Sequence, residues 1–82
     1  MINNETISVT VKFFATLRIY GPAKETLTIP KNSKINILFE KYKIPSEERR
    51  TIIMVNGRPH KDQSTLLKDG DIIAIFPPIG GG

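Results

Sequence analysis

The chain has 82 residues, no cysteine and a formal net charge of +4. A chain of this length builds one hydrophobic core, so we expect a single domain over residues 1–82 and no internal cofactor site of the kind a multi-step enzyme needs. Without cysteine, the sequence excludes disulfides, thiolate catalysis and cysteine-ligated metal sites.

The distribution of charge and hydropathy predicts a cytoplasmic protein. Basic residues are scattered between Lys12 and Lys68 among acidic ones, a pattern typical of a solvated surface. No basic cluster is interleaved with aromatic residues, which argues against nucleic-acid binding. No apolar run approaches the roughly 20 residues that span a bilayer, and the N-terminus lacks the features of a signal peptide. We therefore expect no nucleic-acid partner and no membrane association.

Two strands are predicted in the first third of the chain. Over residues 7–14 apolar and polar residues alternate, and residues 25–29 alternate again before Pro30 stops the pattern. On the first strand, one face carries Ile7, Val9, Val11 and Phe13. The two segments predict a hairpin with a long connection, preceded by a loose polar arm over residues 1–6.

A helix is predicted next. Asn32 or Ser33 is a suitable N-cap, and apolar residues then recur at helical spacing. The apolar stripe consists of Ile35, Leu38, Phe39 and Tyr42. Ile44-Pro45 ends the pattern, and residues 46–50 form a polar connector. We expect the stripe to lie across one face of the sheet.

The second half of the chain contains three further strand signals. Residues 52–55 are β-branched or apolar, the tight-turn pair Asn56-Gly57 predicts a return over residues 58–61, and residues 71–76 form the last strand. The order of elements predicts an α+β roll, in which one main helix covers one face of a mixed sheet of four to five strands.

One face of this sheet has no predicted cover. Alternation places five apolar residues there, namely Phe14, Met54, Ile72, Ala74 and Phe76. Monomers seldom expose large contiguous apolar areas, so this face is interpreted as a partner-binding surface.

The last six residues form a distinctive tail. Its sequence is Pro77, Pro78, Ile79, Gly80, Gly81 and Gly82. The prolines favour an extended backbone and the glycines give a slim tip, while six extended residues reach about 20 Å. We expect the tail to thread into a partner's active site and to present the carboxylate of Gly82.

The single histidine gives a weak signal. His60 has no carboxylate or second histidine at ligand spacing, so we expect it to be solvated and predict no metal site.

Several segments resemble a known family. These are residues 11–18 (VKFFATLR), Val55-Asn56, Asp69-Gly70-Asp71 and residues 75–82 (IFPPIGGG). They resemble the small subunit of molybdopterin synthase, the MoaD family, within the MoaD/ThiS superfamily of ubiquitin-like sulfur carriers. The resemblance covers most of the chain from Ser8 onward and implies a β-grasp fold.

The resemblance also implies a chemistry. A MoeB-like, ubiquitin-activating-like adenylyltransferase would use ATP to adenylate the carboxylate of Gly82, and a sulfur donor protein would supply the sulfur of a thiocarboxylate. Docked on the large, MoaE-like subunit, the tail would deliver this sulfur to cyclic pyranopterin monophosphate and form the dithiolene of molybdopterin. Phe14 and Phe76 match the family's docking surface. No cofactor is expected on the chain itself.

Three other functions remain open at this point. A thiamin-pathway, ThiS-like carrier would share the fold and the activation step, although Phe13-Phe14, Leu17-Arg18 and the Phe-Pro-Pro sequence favour the molybdopterin branch. A ubiquitin-like modifier would join Gly82 to lysines of target proteins. A plain interaction module would need no free terminus.

Overall fold

Five strands form one mixed sheet in the computed structural model, which describes residues 5–45, 51–60 and 64–77. The strands are β1 (Thr6–Phe13), β2 (Glu25–Pro30), β3 (Ile52–Val55), β4 (Arg58–His60) and β5 (Ile72–Phe76). Their order across the sheet is β2-β1-β5-β3-β4. The central pair β1 and β5 is parallel and the other neighbours are antiparallel, which confirms the predicted mixed sheet.

Two helical segments accompany the sheet. A 3₁₀ helix (Ala15–Ile19) follows β1, and α1 (Asn36–Lys41) follows β2. Both contribute to the core, with Leu17 from the first and Leu38 and Phe39 from the second. The strands contribute the inward residues of the predicted alternation: Ile7, Val9, Val11, Phe13, Ile29, Ile53, Val55, Ile73 and Ile75. One sheet face is therefore covered by helical segments, as predicted.

The start of the helix differs from the prediction. α1 begins at Asn36, and its N-cap is Ile35, without a side-chain cap. The predicted cap Ser33 instead donates its hydroxyl to the Pro30 carbonyl at 2.5 Å. The cause is a tertiary contact: the Ile35 N–H donates to the Thr65 carbonyl at 3.0 Å, and Lys34 forms a β-bridge with Leu66. Pairing with this later segment replaces the first helical turn.

The end of the helix is a Schellman motif. Lys43 has a φ of 56° and donates its backbone N–H to the Glu40 carbonyl. The Ile44 N–H donates to the Phe39 carbonyl at 2.9 Å. Ile44 is buried beside the core. The predicted stop at Ile44-Pro45 therefore lies directly after the helix, with Tyr42 at the C-cap rather than inside it.

The predicted turn between β3 and β4 is confirmed. Asn56 and Gly57 both have positive φ, at 53° and 82°, and Val55 pairs with Arg58 across a two-residue loop. The predicted return strand over residues 58–61 is observed as far as His60, and Lys61 lies outside the described residues, as does the connector over 46–50.

The predicted loose arm over residues 1–6 is too long at its C-terminal end. Thr6 begins β1 and pairs with Pro30, and the Glu5 carbonyl accepts the Lys31 N–H at 2.7 Å. Residues 1–4 lie outside the described part of the chain. Edge pairing with β2 therefore extends the strand beyond the apolar alternation that marked it in the sequence.

Candidate functional site: the uncovered sheet face and the root of the tail

The side chains that alternate away from the core form an apolar half-face on β5, β3 and the end of β1. Register places Ile52 beside Phe76, and Met54 beside Ala74. These four residues are half-buried, because no other described segment covers them fully. Ile72, at the start of β5, is 43% exposed. The predicted members of this face therefore share one surface.

This face carries an aromatic pair. The rings of Phe14 and Phe76 are stacked, with centroids 4.3 Å apart and an interplanar angle of 13°. Phe14 remains extended, and its N–H donates to the Ile75 carbonyl at 3.1 Å, which continues the parallel pairing of β1 with β5. Its ring is still 37% exposed. Two phenylalanines far apart in the sequence thus form one aromatic platform.

The other half of the same face is hydroxyl-rich. On β1 and the edge strand β2, the residues directly opposite each other are Ser8 with Thr28, and Thr10 with Thr26. Three of these residues, Ser8, Thr26 and Thr28, are exposed, and Thr10 is half-buried. The face therefore divides into an apolar half toward β3 and a polar half toward β2.

The tail leaves the sheet directly from this apolar half. Phe76 is the last residue of β5, and Pro77, which follows it, is half-buried. The remaining predicted tail residues, Pro78, Ile79, Gly80, Gly81 and Gly82, lie outside the described residues. The predicted roles of the tail therefore stay predictions, while its point of departure is given by the structure.

One residue of the apolar half was missed in the sequence prediction. Ile52 pairs with Phe76, yet the prediction assigned it only to a strand and not to the uncovered face. The signal was available, because Ile52 lies two positions before Met54 and alternation places both on one side.

The opposite end of β5 is held by a hydrogen-bonded network. The Asp71 carboxylate is buried and accepts from the Asn56 side-chain amide at 2.9 Å and from the Lys68 N–H at 2.8 Å. The Asn56 side-chain oxygen accepts the Ile72 N–H at 2.9 Å. The β3–β4 turn is therefore tied to the start of β5, which fixes the strand that carries Phe76 and the tail.

A recess of about 420 Å³ opens beside this network, lined in part by Arg58, Leu66 and Lys68. The recess lies beside the first residue of β5, whereas the tail leaves after the last residue of β5. The recess is thus separate from the predicted chemistry of the tail.

Neither a metal cluster nor a membrane span is found in the described ranges. Within residues 5–45, 51–60 and 64–77, no three His, Cys, Asp or Glu side chains are grouped so that they could hold a metal ion. The same part of the chain contains no helix whose length and hydropathy would let it span a bilayer.

A protein-family model matches most of this chain. The model of the ThiS family matches residues 11–82, which include the end of β1, the platform and the tail. The chain belongs to the ThiS family. The family match covers every strand and both helical segments, apart from the first residues of β1.

Solved structures similar to this ThiS-family chain include two groups. One is a putative molybdopterin converting factor, subunit 1, from Pyrococcus furiosus, which is 30% identical with a TM-score of 0.72 over 89% of this chain and 99% of that one. Another, subunit 1 in a complex of subunits 1 and 2 of the molybdopterin-converting factor from Helicobacter pylori, is 26% identical with a TM-score of 0.59 over 93% and 100%. The second group includes small archaeal modifier protein 1 from Methanosarcina acetivorans, 28% identical with a TM-score of 0.68 over 96% and 100%.

These similarities confirm the predicted β-grasp fold and the predicted superfamily. The chain is a ubiquitin-like sulfur carrier or modifier of the ThiS/MoaD type.

Proposed function

We propose that this chain is the sulfur-carrying small subunit of a molybdopterin synthase. The observation that carries the proposal is the stacked pair of Phe14 and Phe76, which lies on the uncovered face at the root of the tail. Similarity to the putative molybdopterin converting factor, subunit 1, from Pyrococcus furiosus supports it.

The reactive group is the terminal carboxylate of Gly82. A carboxylate is a poor electrophile, so an ATP-using, MoeB-like adenylyltransferase first attaches AMP to it and releases pyrophosphate. Sulfur from a donor protein then displaces AMP and leaves a thiocarboxylate. Each thiocarboxylate donates one sulfur atom to cyclic pyranopterin monophosphate bound by the large subunit and returns to a carboxylate, so two loaded chains supply the two sulfur atoms of the molybdopterin dithiolene.

Docking and delivery are coupled through β5. Phe76 belongs to the apolar half-face and Pro77 begins the tail, so a partner that covers the face also fixes where the tail starts. Holding a reactive group close to its bound target replaces a bimolecular encounter by an intramolecular one. The large, MoaE-like subunit is the partner we assign to this face, in keeping with the two-subunit assembly of the similar Helicobacter pylori protein.

A matched pair of variants tests the docking surface. Phe76→Asp should raise the Kd for the large subunit at least about 30-fold, because aromatic residues at the centre of an interface contribute most of its binding energy. Thr28→Asp places the same charge on the hydroxyl-rich half of the same face and should leave the Kd nearly unchanged. Isothermal titration calorimetry measures both. Equal affinity of Phe76→Asp and the wild type would exclude the platform as the docking site.

A second measurement tests the tail. After co-expression with the adenylyltransferase and a sulfur donor, intact-mass spectrometry should show the increase that corresponds to replacing one oxygen atom by sulfur. A chain that lacks Gly82 should show no such increase if the tip must reach the activating site. The same increase in both chains would refute the assignment of Gly82.

A ubiquitin-like modifier is the second candidate function. Similarity to small archaeal modifier protein 1 from Methanosarcina acetivorans favours it, and the same terminal carboxylate would then form isopeptide bonds with lysines of target proteins. Proteomic detection of the tryptic remnant of this chain, residues 69–82, on lysines of other proteins would support this function. Binding to the large subunit through Phe76 separates the molybdopterin role from both the modifier and a thiamin-pathway carrier.

A further inference from the structure

One charged side chain interrupts the uncovered face. Lys12 pairs with Ala74 across the parallel β1–β5 ladder, and Ala74 pairs with Met54 on the other side. Directly paired strand residues point to the same face, so Lys12 lies between the apolar half and the hydroxyl-rich half. It is half-buried already in the free chain.

Among the described strand residues on this face, Lys12 alone is charged. The others are Thr6, Ser8, Thr10, Thr26, Thr28, Pro30, Ile52, Met54, Pro59, Ile72, Ala74 and Phe76. The acidic residue near Lys12 on the neighbouring strand β2 is Glu25. Glu25 pairs with Val11 and therefore belongs to the opposite face. There its carboxylate accepts the Tyr42 hydroxyl at 2.7 Å. Within the described residues, no acid of this face neutralises Lys12.

Covering Lys12 without a partner group would be costly. Burying an ammonium group without a counter-ion costs several kcal/mol, even after relaxation. Lys12 lies beside Ala74 and two residues before Phe14, which continues β1 in extended conformation, so a partner that seats on the aromatic platform also approaches Lys12.

We infer that the partner surface which covers this face is apolar with a single carboxylate placed opposite Lys12. This inference rests on the proposed docking through Phe14 and Phe76, and adds the one electrostatic contact that distinguishes the right partner from other apolar surfaces. A partner that lacks the carboxylate is rejected, because it would bury the ammonium group unpaired.

The test uses the full chain and the large synthase subunit from the same organism. Lys12→Met keeps an unbranched side chain and removes the charge. Because the partner's carboxylate would then be buried without a counter-ion, Lys12→Met should raise the Kd at least about 10-fold. It should also reduce the dependence of the Kd on salt concentration. Lys12→Arg should retain most of the affinity, and Lys31→Met, which removes an exposed charge outside this face, should have no effect.

The sign of the Lys12→Met effect decides the inference. If the partner surface were purely apolar, removing the charge would leave the Kd unchanged or lower it, and the inference would be overturned. Phe76→Asp, measured in the same series, keeps the two proposals apart. Loss of binding in Phe76→Asp with full binding in Lys12→Met would refute only the carboxylate, whereas full binding in both would refute the docking face itself. The melting temperature of each variant must match the wild type for these comparisons to hold, and Lys12→Gln, which also removes the charge, gives the same test if Lys12→Met does not fold.

Discussion

At the level of single residues, Tyr42 connects the helix end to the sheet. Its hydroxyl donates to the Glu25 carboxylate at 2.7 Å, and its ring meets the edge of Phe13 with centroids 4.8 Å apart. Burial, followed by the hydrogen bond to Glu25 and the charge of that carboxylate, raises the pKa of Tyr42 above its ordinary value. The folded state therefore holds the phenol proton more tightly than the unfolded state.

This shift predicts a loss of stability at alkaline pH. A raised pKa in the folded state means that the stabilisation is fully present below the unfolded pKa of about 10 and is lost as the pH rises above that value. Tyr42→Phe should lower the free energy of unfolding at pH 7 by about 1 kcal/mol, because it removes the hydrogen bond to Glu25. The difference between wild type and variant should then shrink above pH 10, as measured by urea denaturation. A difference that stays constant with pH would contradict the assigned cause.

Residue types also show how far the site could be predicted. Alternation alone assigned four residues to one face, namely Phe14, Met54, Ala74 and Phe76. This was possible because successive side chains of a strand point to opposite faces of the sheet. The stacking of Phe14 on Phe76 could not be predicted, because it depends on the parallel pairing of β1 with β5, two strands separated by most of the chain.

At the level of elements, the helix is the place where the sequence prediction was least accurate. The strands follow from period-two alternation, and the β3–β4 hairpin follows from Asn56-Gly57. The helix start failed because Ile35 and Lys34 pair with the segment around Thr65 and Leu66, a contact that local sequence does not encode. Long-range pairing overrode the capping preference of Ser33.

Glycine substitutions at the end of the short helix α1 should change the free energy of unfolding in opposite directions at two neighbouring positions. Lys43 occupies a left-handed position with a φ of 56°, where a side chain costs roughly 1–2 kcal/mol and glycine costs little. Lys43→Gly should therefore raise the free energy of unfolding by about 0.5–1 kcal/mol, a net gain after the added chain entropy of glycine.

The matched control lies two residues earlier. Lys41→Gly removes the same side chain inside the helix and should lower the free energy of unfolding by about 0.5–1 kcal/mol. Thermal and urea unfolding of both variants give the comparison. Destabilisation by Lys43→Gly as large as that by Lys41→Gly would show that the Lys43 side chain matters more than its backbone conformation.

At the level of the whole molecule, the proposed function assigns docking and activation to separate parts connected by one strand. The platform holds the partner, and the tail carries the reactive carboxylate in the proposed function. The two should therefore be separable by mutation, although both depend on β5.

A crossed experiment checks this separation. Adding one serine after Gly82 should abolish adenylation, because the glycine carboxylate becomes an internal amide, while binding of the large subunit stays at the wild-type level. Phe76→Asp should lose binding of the large subunit. Pyrophosphate exchange measures the first reaction and calorimetry the second. If the added serine weakens binding as strongly as Phe76→Asp does, the tail itself contributes much of the docking energy.

The sheet order has a consequence for truncated chains. β5 lies between the hairpin of β1 with β2 and the hairpin of β3 with β4, and it follows the other four described strands in the chain. In the described sheet, only β5 pairs with both hairpins, so a chain without residues 72–76 has no strand pairing that joins them. A two-stranded hairpin alone is at best marginally stable in water. Closure of the sheet therefore requires residues 72–76, so a chain truncated before them should not form a stable body.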